Sequence, residues 1–255
     1  MFPQRSRFSF AAASFMLLAT VSQAQAADYP PAVKALEKQG LTVMQEFKVG
    51  GGLRAFAAVA GDRPIAVYVT SDGNAILGTR LDSKGEPLDE ASLEKLAAKP
   101  ISDKTWARLE SSKWVRDGKA DAPRVVYTFS DANCPYCHRF WEAARPWVDA
   151  GKVQLRHIMV GIIKEDSPTK AAAILGASDP AAALLENERN FDKGGIKSAK
   201  SVPADVRKIL DEHQVLMLET GFRGTPGIVV REGDVLKKYN GMPQGTAMNE
   251  VLGPR

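Results

Sequence analysis

The sequence is poor in cysteine and histidine. Two cysteines and three histidines in 255 residues are far from the density of a disulfide-stapled scaffold. They are also thin for a structural zinc centre, which asks for four Cys or His ligands at suitable spacing. Beyond the cysteine pair and its neighbour His138, only His157 and His213 remain, and both are isolated in sequence. Net charge is equally scarce: a formal +4 argues for neither nucleic acid nor an acidic membrane surface as partner. There is no internal repeat and no low-complexity segment, and no apolar run reaches the ~20 residues of a spanning helix. Such a chain depends on a hydrophobic core for stability. Its two cysteines are therefore free for chemistry.

What is present begins with an export signal. Arg5 and Arg7 form a basic start, Phe8 to Val21 are mostly apolar, and Ala24-Gln25-Ala26 matches a small-x-small cleavage site. A retained membrane anchor is the alternative, disfavoured by the clear exit motif. Removing residues 1–26 takes away two arginines and no acid, so the mature formal charge is +4 − 2 = +2. The mature chain is expected to begin near Ala27 and to lie outside the cytoplasm, exported through a cleavable signal peptide.

The mature chain changes texture along its length. Pro30 to Gly40 reads as a short helix, with Pro31 in its first turn and Gly40 as C-terminal cap. Leu41–Phe47, Leu53–Ala60, Ile65–Thr70 and Ala75–Leu81 are strand-like runs separated by Gly, Asp and Asn turn chemistry. They predict a small antiparallel α+β unit over residues 27–88, one that buries limited surface alone and gains from pairing. Asp89 to Arg116 is helical in character, interrupted at Pro100, and reads as a two-piece connecting helix over 89–117. The remainder, 118–255, opens with the strand Arg124–Phe129, a helix from about Pro135 to Ala150, and a strand from Lys152 to Val160. Strand, helix, strand is the unit of a parallel pair with a right-handed crossover. A mostly helical stretch follows at 167–221, then a strand over Gly224–Val230 that includes Thr225-Pro226, a hairpin back through Val235 to Tyr239, and a short closing helix from Met242 to Leu252.

Between the first strand and helix of that second domain lies Cys134-Pro-Tyr-Cys-His138. A C-x-x-C at the start of a helix that follows a strand suggests a thioredoxin-like dithiol, whereas C-x-x-C-H taken literally is also the attachment signature of a c-type haem. The second reading needs His138 as axial ligand; the tight strand–helix context and the downstream Thr225-Pro226 step favour the dithiol. Residues i and i+3 of a first turn lie on one face, close enough for a disulfide. Cys134, at the helix N-terminus, gains from free amides and the macrodipole and is the expected thiolate nucleophile. Cys137, one turn deeper, is the expected resolving thiol. Pro135 and Tyr136 between them, and His138 beside them as a source of positive charge, are expected to tune the pair. Thr225-Pro226 is either an ordinary trans turn, the commoner case, or a cis step of the thioredoxin-like kind that faces the cysteines and contacts substrate. Its place before an apolar strand, well downstream of the C-x-x-C unit, favours the second. No cofactor beyond the Cys134–Cys137 pair is called for.

Longer runs carry a resemblance. Ala32-Val-Lys-Ala-Leu-Glu-Lys-Gln-Gly40, Ser112-Lys-Trp-Val-Arg-Asp-Gly118, Asp121-Ala-Pro123, Cys134-Pro-Tyr-Cys137, Phe140-Trp141, Ala144-Arg-Pro-Trp-Val-Asp149 and Gly151-Lys-Val-Gln-Leu-Arg156 resemble the periplasmic thiol:disulfide interchange proteins of the DsbC/DsbG family. The resemblance spans about Pro30 to Leu252. It implies a cystatin-like N-terminal dimerisation domain, a linker helix, and a thioredoxin-like catalytic domain with a helical insertion. It also implies a V-shaped homodimer acting on exported proteins with cysteines, and the inner-membrane transporter DsbD as electron donor. The DsbC branch typically has Cys-Gly-Tyr-Cys and a second disulfide, where this chain has Pro135 and no further cysteine. His138 in place of the usual lysine, and the flanks of Gly224-Thr-Pro-Gly227, depart from the familiar pattern. The implied activity is isomerisation of wrong disulfides or reduction of sulfenylated cysteines, with chaperone activity. A non-catalytic chaperone and a DsbA-like oxidase are the alternatives, and the extra N-terminal domain argues against the oxidase.

Overall fold

The computed structural model describes residues 28–61 and 63–254; the signal sequence lies outside them. The first domain opens with α1, Pro31–Lys38. Pro31 needs no amide partner in the first turn, and Gly40 at φ +98° returns its amide to the Glu37 carbonyl at 3.0 Å. Strands β1 (Leu41–Phe47), β2 (Arg54–Ala60), β3 (Arg63–Val69) and β4 (Ala75–Gly78) form an antiparallel meander in that order. The apolar stretch expected to reach Leu81 leaves the sheet at Gly78; Leu81 makes only an isolated bridge with Pro87. Central β2 is buried on both faces. Phe56, Ala58 and Val67 pack with Val33 of α1, while Ala57 and Val59 pack against Ala97, Leu93 and Leu96 beyond β4.

Those last residues belong to a helical segment made of α2 (Glu90–Leu93), a π-helical stretch (Glu94–Ala98) and α3 (Lys99–Ser111). The expected interruption at Pro100 does not occur. Leu93, Glu94, Ala98 and Lys99 all hold right-handed helical angles, so the chain runs on. The widened π turn sits immediately before the proline, where a regular turn would meet its ring and miss its amide. The helix also ends earlier than Arg116. Val115–Asp117 is instead strand β5, paired antiparallel with the second sheet. Val115 has the β-branched side chain and the burial of a strand residue, and its run is too short to show a period. The last turns of α3 pack on the second domain. Leu109 is fully buried beside Tyr127 and Phe129, and the Trp106 ring meets Tyr127 edge-on at 5.0 Å.

The second domain is built on a sheet ordered β5-β7-β6-β8-β9, with β6 (Arg124–Asp131), β7 (Val153–Val160), β8 (Gly227–Glu232) and β9 (Val235–Asn240). Strands β6 and β7 are parallel and joined by α4 (Pro135–Asp149); the other pairs are antiparallel. Phe140, Ala144, Trp147 and Val148 of α4 cover one face with Val251 and Leu252 of the closing helix. Between β7 and β8 run α5 (Ser167–Leu175), α6 (Pro180–Arg189), a 3-10 turn (Phe191–Lys193) and α7 (Ala204–Glu219). Helix α7 serves two cores: Val206 and Leu210 pack with α5 and α6, while Leu216 and Met217 cover the sheet's second face. The closing helix is α8, Ala247–Leu252.

Polar ties join α3 to the β8–β9 hairpin. Ser102 Oγ accepts from the Leu236 amide at 3.1 Å, Lys99 Nζ meets Asp234 at 2.9 Å, and Arg231 is paired with Asp103.

Candidate active site

Strand β6 ends at Asp131 and α4 begins at Pro135, so three residues turn the chain and Cys134 becomes the helix N-cap. With φ −82° and ψ 114°, Cys134 is still extended, and its sulfur accepts the Cys137 amide at 3.3 Å. A sulfur thus takes the place of the usual cap oxygen. Pro135 occupies the first helical position, where a missing amide costs nothing. Both cysteines are free thiols and both are buried, at 2% and 4% exposure, while Tyr136 between them stands out at 55%. The pair and the dipeptide are where the spacing placed them.

The two thiols differ in acidity. The Cys137 thiol facing it does most to lower Cys134; burial opposes, and the Thr225 side chain with the Cys137 and Tyr136 amides completes a fall to about 6. Burial raises Cys137 well above the ordinary thiol value, reinforced by its position beside Cys134. A neighbouring thiolate that already holds the negative charge makes a second ionisation costly. One sulfur ionises readily and the other resists ionisation.

The Thr225–Pro226 peptide bond is cis, and the Thr225 carbonyl lies 3.4 Å from the Cys134 sulfur. Some ninety residues of chain therefore return this step to the cysteines. The Thr225 hydroxyl is buried and satisfied by no other group, and it favours the charged form of both sulfurs. The Pro226 carbonyl accepts the Gly241 amide at 2.8 Å, which ties the step to the end of β9.

His138 is placed against the helical insertion. Its Nδ1 is 2.9 Å from Glu188 Oε2, and its ring is stacked on Phe191 at 4.4 Å and beside Trp141 at 5.9 Å. The ring is turned into the helical insertion and occupied there by the buried carboxyl group of Glu188. The ring's partners from the insertion are Glu188 of α6 and Phe191 of the 3-10 turn that follows α6. The other histidines are also engaged. His157 Nδ1 pairs with Ser130 Oγ at 3.2 Å, and His213 Nδ1 meets the Met159 carbonyl at 2.7 Å. Among the described residues no group of three or more His, Cys, Asp or Glu side chains is placed to hold a metal ion.

Two buried polar clusters escaped the sequence reading. Asp131 accepts the Asn133 amide at 2.9 Å and the Ser167 hydroxyl at 2.7 Å on one oxygen, and the Ile162 and Ile163 amides at 2.6 and 3.0 Å on the other. The Asn133 side chain donates to Asp166 and Ser167 and accepts from Lys170 Nζ at 2.7 Å. The second cluster joins β5 to α4. Arg145 is paired with Asp117, and His157 Nε2 is 3.7 Å away. Burial pushes the Asp117 carboxyl up, but His157 and Arg145 outweigh it and hold the group at about 2. Asp131 precedes the motif by three residues, which is the only local signal either cluster offered.

Comparison with known proteins matches this arrangement. Residues 115–253 fit the thioredoxin-like domain family model. The chain is 44% identical over 232 residues to the Thiol:disulfide interchange protein DsbG of Pseudomonas aeruginosa, covering 90% of this chain and 91% of that one. The chain belongs to the DsbG family of thiol:disulfide interchange proteins. The family's Escherichia coli DsbG is 40% identical over 230 residues, covering 89% of this chain and 93% of that one. Among solved structures, the catalytic domain of Proteus mirabilis ScsC superposes with a TM-score of 0.51 at 21% identity, covering 60% of this chain and 96% of that one. That likeness shows the thioredoxin-like fold of the second domain. As a DsbG-family member the chain is a thiol:disulfide oxidoreductase, and its C-x-x-C lies at the helix N-terminus where such exchange begins.

Proposed function

We propose that the chain works in the periplasm as a dithiol enzyme kept reduced, repairing misoxidised cysteines of exported proteins. The observation that carries this reading is the split between the two thiols, Cys134 held at about 6 and Cys137 raised. At neutral pH the Cys134 thiolate attacks one sulfur of a substrate disulfide. A new S–S bond forms as the old one breaks, and the electron pair leaves on the substrate's second sulfur. Cys137 then gives up its proton and attacks Cys134, releasing reduced substrate and leaving a Cys134–Cys137 disulfide; in isomerisation the substrate's own thiolate returns first. A sulfenylated cysteine enters the same sequence, with water as the leaving species. Stabilising the Cys134 thiolate favours the reduced pair, and the two electrons travel in the dithiol with no further cofactor.

Thr225 and Pro226 complete the site by facing the attacking sulfur and contacting the substrate chain. The first domain forms a homodimer, a role supported by the exposed Ile76, Leu77, Leu81 and Leu88 around its edge strand β4. DsbD returns electrons to the pair. No helix among the described residues is long and apolar enough to cross a membrane, and export is the task of the N-terminal signal.

The test is a mixed-disulfide trap. Cys137→Ala expressed with its signal is expected to accumulate covalent adducts of exported proteins through Cys134, cleared by reductant. Adducts from Cys134→Ala and none from Cys137→Ala would reverse the roles, and adducts from neither would remove the exchange reading.

A further inference from the structure

A substrate bound through Cys134 must lay its chain on whatever surrounds that sulfur. Large apolar side chains are exposed in the second domain at Tyr136, Ile162, Ile163, Val215 and Leu218. The last two lie on α7. Tyr136 stands in the first turn of α4, within the motif, and Ile162 and Ile163 lie in the connection from β7 to α5.

That connection is tethered with unusual economy of means. Asp131 is 1% exposed, and one side-chain oxygen accepts both isoleucine amides while the other accepts the amide of Asn133. The Asp131 carbonyl accepts the Cys134 amide at 3.0 Å. A single buried residue therefore fixes the position of the isoleucine loop relative to the attacking sulfur. Gly161 keeps the loop close from the other side: a β-carbon there would come within 2.7 Å of the Pro168 backbone. Isolated exposed apolar residues are ordinary. Two consecutive isoleucines, 36% and 44% exposed and anchored to the turn before Cys134, are a preformed, part-exposed apolar surface.

We propose that Ile162 and Ile163, with Tyr136, are specificity-determining residues that receive a bulky apolar side chain next to the reacting cysteine of the substrate. The proposal rests on the exchange function above and adds the substrate class. The preferred targets are cysteines flanked by residues such as Leu, Ile or Phe, segments that belong in a protein core and are exposed only before folding is complete. A cysteine in a polar surface loop lacks the side chain that this rim accepts. Covering part of an isoleucine surface corresponds to roughly a tenfold preference in the rate of attack.

The test uses the reduced mature protein and two synthetic peptide disulfides, identical except that leucines or serines flank the cysteine. Stopped-flow tryptophan fluorescence gives the second-order rate constant for each. The unmodified protein is expected to react roughly tenfold faster with the leucine peptide, and Ile162→Ser/Ile163→Ser is expected to bring the ratio of the two rates close to one. Equal rates for the two peptides with the unmodified protein overturn the proposal, as does a ratio that survives the double substitution. Oxidised glutathione separates the underlying function. If the unmodified protein fails to react with it as well as with both peptides, the exchange reading itself falls.

Discussion

At the scale of single residues, the two sulfurs have the same chemistry and opposite surroundings. Cys134 caps a helix and receives donors; Cys137 lies one turn deeper, where burial penalises any charge. The expected consequence is a pH profile. Alkylation of the reduced protein by iodoacetamide should follow the Cys134 thiolate with a midpoint near pH 6, falling about tenfold per unit below it, with Cys137 silent across the neutral range. Thr225→Val removes the hydroxyl that no other group satisfies, so the midpoint should move up and the rate at pH 6 should drop while the rate at pH 9 changes little. A midpoint unmoved by Thr225→Val would assign the lowering to Cys137 and the helix amides alone. The cysteines, Pro135 and the Thr225-Pro226 step were legible in the sequence because their chemistry depends on local spacing and on a distinctive dipeptide. The orientation of His138 was not. Which neighbour a helix side chain meets depends on the element packed beside it, and Glu188 and Phe191 arrive fifty residues later.

At the scale of elements, the helical insertion and the nucleophile's turn are one construction. Lys170 of α5 is buried with its Nζ on the Asn133 side chain and the Gly194 carbonyl, both at 2.7 Å, and the Asn187 side chain of α6 donates to the Ala132 carbonyl at 3.2 Å. The insertion thereby holds the two residues before Cys134. Lys170→Met keeps the length of the side chain, strands the buried Asn133 side-chain oxygen, and frees the Gly194 carbonyl and the Asp166 carboxylate to meet water. The expected loss is about 1–3 kcal/mol for the one stranded group, read as a lower urea midpoint with an unchanged slope. Little change would mean that water or a rearranged Asn133 takes over that contact. None of this cluster could be read from the chain, because polar residues inside α5 and α6 look like a solvated helix face until the fold encloses them. The same limit explains the connecting helix. Pro100 is a breaker by its own chemistry, yet the π turn before it lets the helix continue, and the tie between Val115 and His157 is visible only once β7 is in place.

At the scale of the whole molecule, the first domain is incomplete as a folding unit in one respect. Helix α1 covers one face of its sheet and the connecting helix covers the other, but both coverings centre on β2 and β3. Strand β4 projects beyond them. Leu77 pairs with Val67 on the α1 face and Ile76 with Tyr68 on the other, so the two side chains point to opposite faces and both remain exposed, at 43% and 55%. Edge strands of this kind normally carry charge or a proline to discourage pairing, and the central pair of β4 carries neither. Pairing of β4 with β4 of a second copy would bury both side chains in each chain and set two Cys134 sites in one particle. Partial burial of four such side chains is worth roughly 4 kcal/mol, close to a thousandfold in dissociation constant. Ile76→Lys/Leu77→Lys should therefore sediment at the mass of one chain at micromolar concentration, where the unmodified protein is expected to sediment at twice that mass. The alkylation midpoint of Cys134 should be the same in both, because nothing on β4 touches the second domain's cysteines. A variant that stays dimeric would move the interface elsewhere on the first domain, and an unmodified protein that sediments as one chain would end the dimer proposal.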